Sequence, residues 1–243
     1  MKFSAITRVL FLSSLFLLPA TLQAAAPAAG EVAQLRGLGI TQARATDGIS
    51  RKLAMGDAIY SGDNISTGKD TSLNIRFADG SRFDIGPQSE FSVDKFSYQH
   101  GAEGGAFHSR IIKGAFRFVS GLIAKSRGRD MTVSTTVATI GIRGTQVEGE
   151  VTERQVNDDG VTVDASAKIV LLEPEEKGKE TSIVVSNEFG SVIIDKPGYG
   201  TEIPDEKSPP SAVRKMQLRT IDNVLRALRS SVRQGGTPKP RMP

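Results

Sequence analysis

The chain has 243 residues, of which 38% are hydrophobic and 24% charged. That allows one large domain or two small ones, and it excludes a disordered body. There is no cysteine and no tryptophan, so a disulfide framework is excluded and an aromatic sugar-binding platform would rest on Tyr60, Tyr98 and Tyr199. The net charge of +4 is unevenly spread: residues 148–180 hold ten acids against four bases, and residues 207–243 hold nine bases against one acid, Asp222.

The N-terminus has the layout of a secretory signal. Lys2 and Arg8 precede the apolar run Val9 to Leu18, Pro19 breaks it, and Ala20, Ala24, Ala25 and Ala26 follow. The run is shorter than the roughly 20 apolar residues of a membrane span. Residues 1–25 are therefore expected to be a signal peptide, cleaved after Ala24, Ala25 or Ala26, with an uncleaved anchor as the alternative. No cysteine is present for lipid attachment. The expected product is a soluble protein in the periplasm of a two-membrane bacterium.

Strand pieces are expected between Glu31 and Leu53, with Asp47-Gly48 as a turn. Three corners follow, at Gly56-Asp57, Gly62-Asp63 and Thr67-Gly68. Leu73, Ile75 and Phe77 then alternate with polar residues, Asp79-Gly80 turns the chain, and Phe83 and Ile85 alternate again. Alternation marks a strand with one buried face, and Asp-Gly between two such runs predicts a hairpin, Ser72 to Ala78 with Arg82 to Gly86. Phe91, Val93 and Phe96 mark a further strand. Ser97 to Arg110, with three glycines, reads as a flexible surface loop, and Ile111 to Val119 as a strand. Gly114 within it predicts a bulge or a close approach.

Thr132 to Ile140 is rich in β-branched residues and reads as one strand, followed by Gln146 to Val151. Asn157 to Gly160 is a turn, Val161 to Leu172 a strand or hairpin, and Ser182 to Ser186 with Ser191 to Asp195 a further pair. Gly80-Ser81 before Pro87 is echoed, at the same spacing, by Gly190-Ser191 before Pro197. Repeated short strands of this kind point to stacked sheets, a sandwich or a solenoid.

Pro209-Pro210 is expected to end the β region. Val213, Met216, Ile221, Val224, Leu225, Leu228 and Val232 recur near the 3.6-residue period until Gly235-Gly236, which predicts one amphipathic helix over 209–235. Its other face would carry Arg214, Lys215, Arg219, Arg226, Arg229 and Arg233. Residues 236–243 are expected to be disordered. Export argues against nucleic acid as the partner of this basic tail. Anionic membrane, acidic glycan or an acidic protein face fits better.

No catalytic set emerges. His100 and His108 are the only histidines and fall in the expected loop, and zinc needs three or four ligands. Asp57, Asp63, Asp79 and Asp84 each sit where a turn or a solvent face accounts for them. Asp79-Gly80-Ser81 is read as a turn. Gly144 is expected to adopt a conformation closed to other residues, with the Arg143 guanidinium bracing unpaired carbonyls at that sheet end and a ligand-binding role for Arg143 as the alternative. No metal, no cofactor and no enzymatic activity are expected.

Two ordered blocks resemble the FecR domain family. The first is the stretch from Leu53 to Pro87, with Gly56, Asp57, Thr67, Gly68, Asp79, Gly80 and Ser81. The second is Ala138 to Thr145, with Arg143, Gly144 and Thr145. The resemblance implies an all-β body over residues 30–201, a twisted β-sandwich or short solenoid-like stack carrying the C-terminal helix. It also implies envelope signalling, since full sensors of this family carry an anti-sigma region and a membrane helix before the domain. Here a signal peptide is expected in that place. The expected role is non-enzymatic binding of another envelope protein, a receptor or membrane sensor, with binding of an envelope glycan or polymer as the alternative.

Overall fold

The computed structural model describes residues 27–100, 104–126, 130–175, 178 and 180–218. Its strands are β1 (Gly30–Arg36), β2 (Thr41–Arg44), β3 (Ser50–Lys52), β4 (Ala58–Ile59), β5 (Asn64–Thr67), β6 (Ser72–Phe77), β7 (Arg82–Ile85) and β8 (Glu90–Ser97). They continue with β9 (Ala106–Val119), β10 (Asp130–Thr135), β11 (Thr139–Arg143), β12 (Gln146–Thr152), β13 (Gln155–Val156) and β14 (Thr162–Val163). The last are β15 (Ser166–Leu172), β16 (Ser182–Asn187), β17 (Gly190–Ile194), β18 (Tyr199–Ile203) and β19 (Arg214–Lys215).

Two open sheets share one long strand. The first runs in the order β4, β1, β6, β7, β9, β12, β15, β18, β19. The second runs β3, β2, β5, β8, β9, β10, β11, β16, β17. Strand β9 pairs with β8 and β10 through its first half and with β7 and β12 through its second. Gly114, with φ of +103°, marks the change of sheet. A methyl group there would overlap the Ser89 side chain, so only glycine permits the chain to bend and pass so close. The pairings are antiparallel except β9 with β10. That parallel pair needs a crossover, and the chain leaves β9 for it through residues 120–126.

The inner faces of the two sheets meet in one core. Phe83 of the first sheet lies 4.6 Å, centroid to centroid, from Phe91 of the second, and Phe77 lies 4.5 Å from Phe107. Phe107 and Phe118 sit on the two halves of β9, one on each sheet, with rings 5.7 Å apart. Each fully buried apolar side chain contributes about 1.5–3 kcal/mol. The alternation read in the sequence thus delivers its apolar set to the interior of a sandwich.

Three expectations need correction. The run Thr132 to Ile140 is not one strand but the hairpin β10–β11. Thr135 Oγ1 accepts the N–H groups of Val137 (3.2 Å) and Ala138 (3.0 Å), an offer of local hydrogen bonds that β-branched propensity does not reveal. The loop expected from Ser97 to Arg110 is shorter at both ends, because β8 reaches Ser97 and β9 begins at Ala106. The helix expected over 209–235 does not form in its described part. Residues 209–218 contain no helix, and Arg214–Lys215 pairs with Tyr199–Gly200 of β18. Leu218 and Met216 lie against Val170 and Ala115 on the outer face of the first sheet. An apolar spacing close to 3.6 residues arises here from a strand end crossing a sheet. Residues 219–243, with Arg219, Arg226, Arg229 and Arg233, and residues 1–25, where a signal peptide is expected, lie outside the described residues.

Candidate functional site

The two Gly-Asp corners are one structure built twice. At the first, Asp57 Oδ2 accepts the Ala54 N–H at 2.8 Å, Gly56 N–H donates to Val32 O at 2.9 Å, and Val32 N–H donates to Asp57 O at 2.9 Å. At the second, Asp63 Oδ2 accepts the Tyr60 N–H at 2.8 Å, Gly62 N–H donates to Val93 O at 2.6 Å, and Val93 N–H donates to Asp63 O at 3.0 Å. The first corner is tied to β1 in one sheet, the second to β8 in the other. The glycines have φ of +89° and +91°, which explains the residue type.

The environments differ. Asp57 is half-buried, whereas Asp63 is fully buried and held by Arg51, whose Nη1 lies 2.9 Å from Asp63 Oδ1 and whose Nη2 reaches Oδ2 and Ala58 O. Donating these hydrogen bonds to Asp63 raises the pKa of Arg51 above its ordinary value, against a smaller lowering by burial. The guanidinium also lies over the Tyr60 ring, 5.4 Å from its centre.

Thr67 and Gly68 join β5 to the turn before β8. Thr67 Oγ1 donates to Gly86 O at 2.7 Å and accepts the Ser89 N–H at 2.9 Å. A side chain on Gly68 would meet the Ile40 backbone O and N at 2.8 and 2.9 Å, so the position has no room for one.

The remaining motif residues converge on one segment, Ser120 to Ile123, that leaves β9. Asp79 and Ser81 are wholly buried. Asp79 Oδ1 accepts the Ser81 N–H (3.0 Å), and Oδ2 accepts the Ser81 hydroxyl (2.8 Å) and the Ile123 N–H (3.3 Å). Ser81 Oγ in turn accepts the Gly121 N–H at 2.9 Å, and Asp79 O accepts the Leu122 N–H at 2.8 Å. From the other side, Thr145 N–H donates to Ser120 Oγ at 2.7 Å and Ser120 N–H donates to Thr145 O at 3.0 Å. The Thr181 hydroxyl donates to Thr145 Oγ1. The two blocks, far apart in sequence, thus grip one strand exit from opposite sides. Ser120 and Gly121 were not singled out in the sequence; the only signal for them is the Ser-Gly that ends the alternation of Phe116 and Phe118.

Arg143 behaves differently. It is exposed at the end of β11, and its side chain forms no hydrogen bond or ion pair among the described residues. The expected bracing of carbonyls does not occur, because Thr145 and Ser120 already satisfy that corner with backbone and hydroxyl groups.

A cavity of about 50 Å³ lies under this corner, lined by Ser120, Lys125, Gly144, Thr145 and Glu175 among others. That is room for a water or two, not for an organic substrate. An open groove of about 530 Å³ runs beside Gly30, Gly56, Arg76 and Gly80, and its one ion pair joins Arg76 to Glu31. His108 lies in β9, its Nε2 2.7 Å from Asp130 Oδ1. His100 is paired weakly with Tyr98, 3.4 Å away. No cluster of three or more His, Cys, Asp or Glu able to hold a metal occurs among the described residues.

Residues 63–167 match the family model described as FecR protein. The matched segment is similar to a FecR domain. It begins at the buried Asp63, takes in the Asp79 clamp and the Arg143–Thr145 corner, and ends inside β15. No curated protein matches the chain. The FecR family is associated with the cell envelope and with signalling and regulation. Among the described residues, no helix is long and apolar enough to cross a membrane.

Proposed function

We propose that this chain is a non-enzymatic periplasmic FecR-domain protein, exported by its signal peptide, that binds another envelope protein in signalling or envelope regulation. The observation that carries the reading is the exposed Arg143. Every other polar side chain of the family motifs is engaged in holding a corner or strand exit, while this guanidinium points outward with five donors and no partner among the described residues. Exposed Arg is enriched where proteins recognise one another.

The test is a photoreactive side chain at position 143 in intact cells, with Asp47, at a remote turn, as the reference position. A discrete adduct with one envelope protein at 143, absent at 47, is expected. Equal or no labelling at the two positions would remove Arg143 from recognition and the reading with it. The nine bases of residues 207–243 favour a second reading, binding of an acidic envelope glycan. That reading predicts co-sedimentation with purified cell-wall polymer that weakens as salt is raised.

A further inference from the structure

The edges of the two sheets are unequal. Strands β4 and β19 have two residues each and β3 has three. Strand β17, Gly190–Ile194, has five, and neither lysine nor proline interrupts it. Apart from its ladder with β16, its residues 191–194 make no backbone hydrogen bond among the described residues. Such an edge invites another strand.

Its outer face is apolar. Ile193 is 66% exposed and Val184 40% exposed, and they are direct partners across β16 and β17. On the far side of Val184 lies Gly141, which has no side chain to cover it. Ser186 and Ser191 flank the pair in the next row, and Arg143 with Ser182 lies on the other side.

We infer that β17 pairs antiparallel with β17 of a second copy of this chain, about a two-fold axis at Ile193. In that register each Ile193 lies beside its copy, so Val184, Ile193, Ile193 and Val184 form one apolar row across the joined sheets. The nearest charge, Asp195, then opposes Ser191 of the other copy and not its own image. The strand is thus complementary to itself in both hydrophobicity and charge, as an isologous contact requires. Closing the contact covers the longest of the four terminal strands described, whereas a foreign strand would have to supply the same apolar residue at the same register. The contact is small, so a dissociation constant on the order of micromolar is expected. This inference goes beyond the partner reading, because residues 182–194 lie outside the segment matched by the family.

The full chain should move from monomer to dimer in sedimentation velocity across the micromolar range. Ile193→Lys should stay monomeric at each concentration with an unchanged far-UV circular dichroism spectrum. The natural chain has no cysteine, so a single introduced one reports only on contact between copies. Ile193→Cys should give a disulfide-linked dimer on mild oxidation. Val184→Cys should not, since its copies would stand three strand spacings apart, about 14 Å, beyond the roughly 7 Å limit for a disulfide. A chain that remains monomeric throughout overturns the inference. So does a dimer that survives Ile193→Lys, or cross-linking at 184 as efficient as at 193. If Ile193→Lys fails to fold, the pair of cysteine variants decides.

Discussion

Asp57, Asp63 and Asp79 share a residue type and a turn position, yet the structure asks different things of them. Asp57 caps one exposed N–H. Asp79 is wholly buried and accepts from three donors, two of which belong to its own turn and one to Ile123. Replacing Asp79 with Ala strands those donors away from water, so Asp79→Ala should cost about 3 kcal/mol in urea unfolding, against about 0.5–1 kcal/mol for Asp57→Ala. Equal costs would mean that the clamp on residues 120–123 contributes nothing. Asp63 gives a third case. Arg51→Ala leaves a buried carboxylate without its counter-ion, at about 3 kcal/mol, the low end for such pairs because Arg51 is itself partly exposed. The Arg51 pKa is raised by Asp63, so the guanidinium stays charged and its stabilisation is fully present through neutral and mildly alkaline pH. The effect of Arg51→Ala should therefore be the same at pH 7 and pH 9. These differences were not legible in the sequence. Gly-Asp and Asp-Gly announce turns through local chemistry, but burial depends on which distant segment lies across the turn.

The element with the widest reach is β9, and its hinge is Gly114. Gly114→Ala combines a positive φ with overlap on Ser89. Gly56→Ala has the same kind of φ but open space around it. Thermal or chemical unfolding should show about 1–2 kcal/mol lost at Gly56 and at least about 3 kcal/mol at Gly114. A Gly114→Ala protein as stable as Gly56→Ala would show that β9 can change sheets without that close approach. The bulge or close approach was readable from a lone glycine inside an alternating strand, and the β6–β7 hairpin from Asp-Gly between alternating runs, because both signals are local. The echo of Gly-Ser before Pro was half informative. Ser81 and Ser191 each stand at the start of the second strand of a hairpin, β7 and β17, but Gly80 has a positive φ and Gly190 does not, so the two turns differ. The described part of the C-terminal helix failed for the opposite reason. Val213 and Met216 fit a helical period, but pairing with β18 and burial of Leu218 on Val170 decide the local conformation, and such long-range contacts override propensity.

At the scale of the molecule, the family-matched segment and the folded unit have different limits. The match ends at residue 167, inside β15, whereas β16 pairs with β11 and β18 with β15. Ile183, Val185, Ile194 and Ile203, all beyond the match, are completely buried in the same core as Phe83 and Phe116. At about 1.5–3 kcal/mol for each buried side chain, they amount to much of the 5–15 kcal/mol that holds an ordinary domain together. Because β9 belongs to both sheets, that loss falls on the whole sandwich and not on one end. A chain ended after Leu172 should therefore show no cooperative unfolding transition and should bind a hydrophobic dye, while the full chain melts in a single step. Hydrogen exchange on the full chain should rank the amides of β9 and of β7, β8 and β12 beside it as the slowest, and those of β3, β4 and β19 at the sheet edges as the fastest. A sharp transition in the shortened chain would mean that the matched segment folds by itself, and that β16 to β19 are an addition laid on a finished domain. A single transition only in the full chain would make them part of the sandwich on which the exposed face of Arg143, Val184 and Ile193 depends.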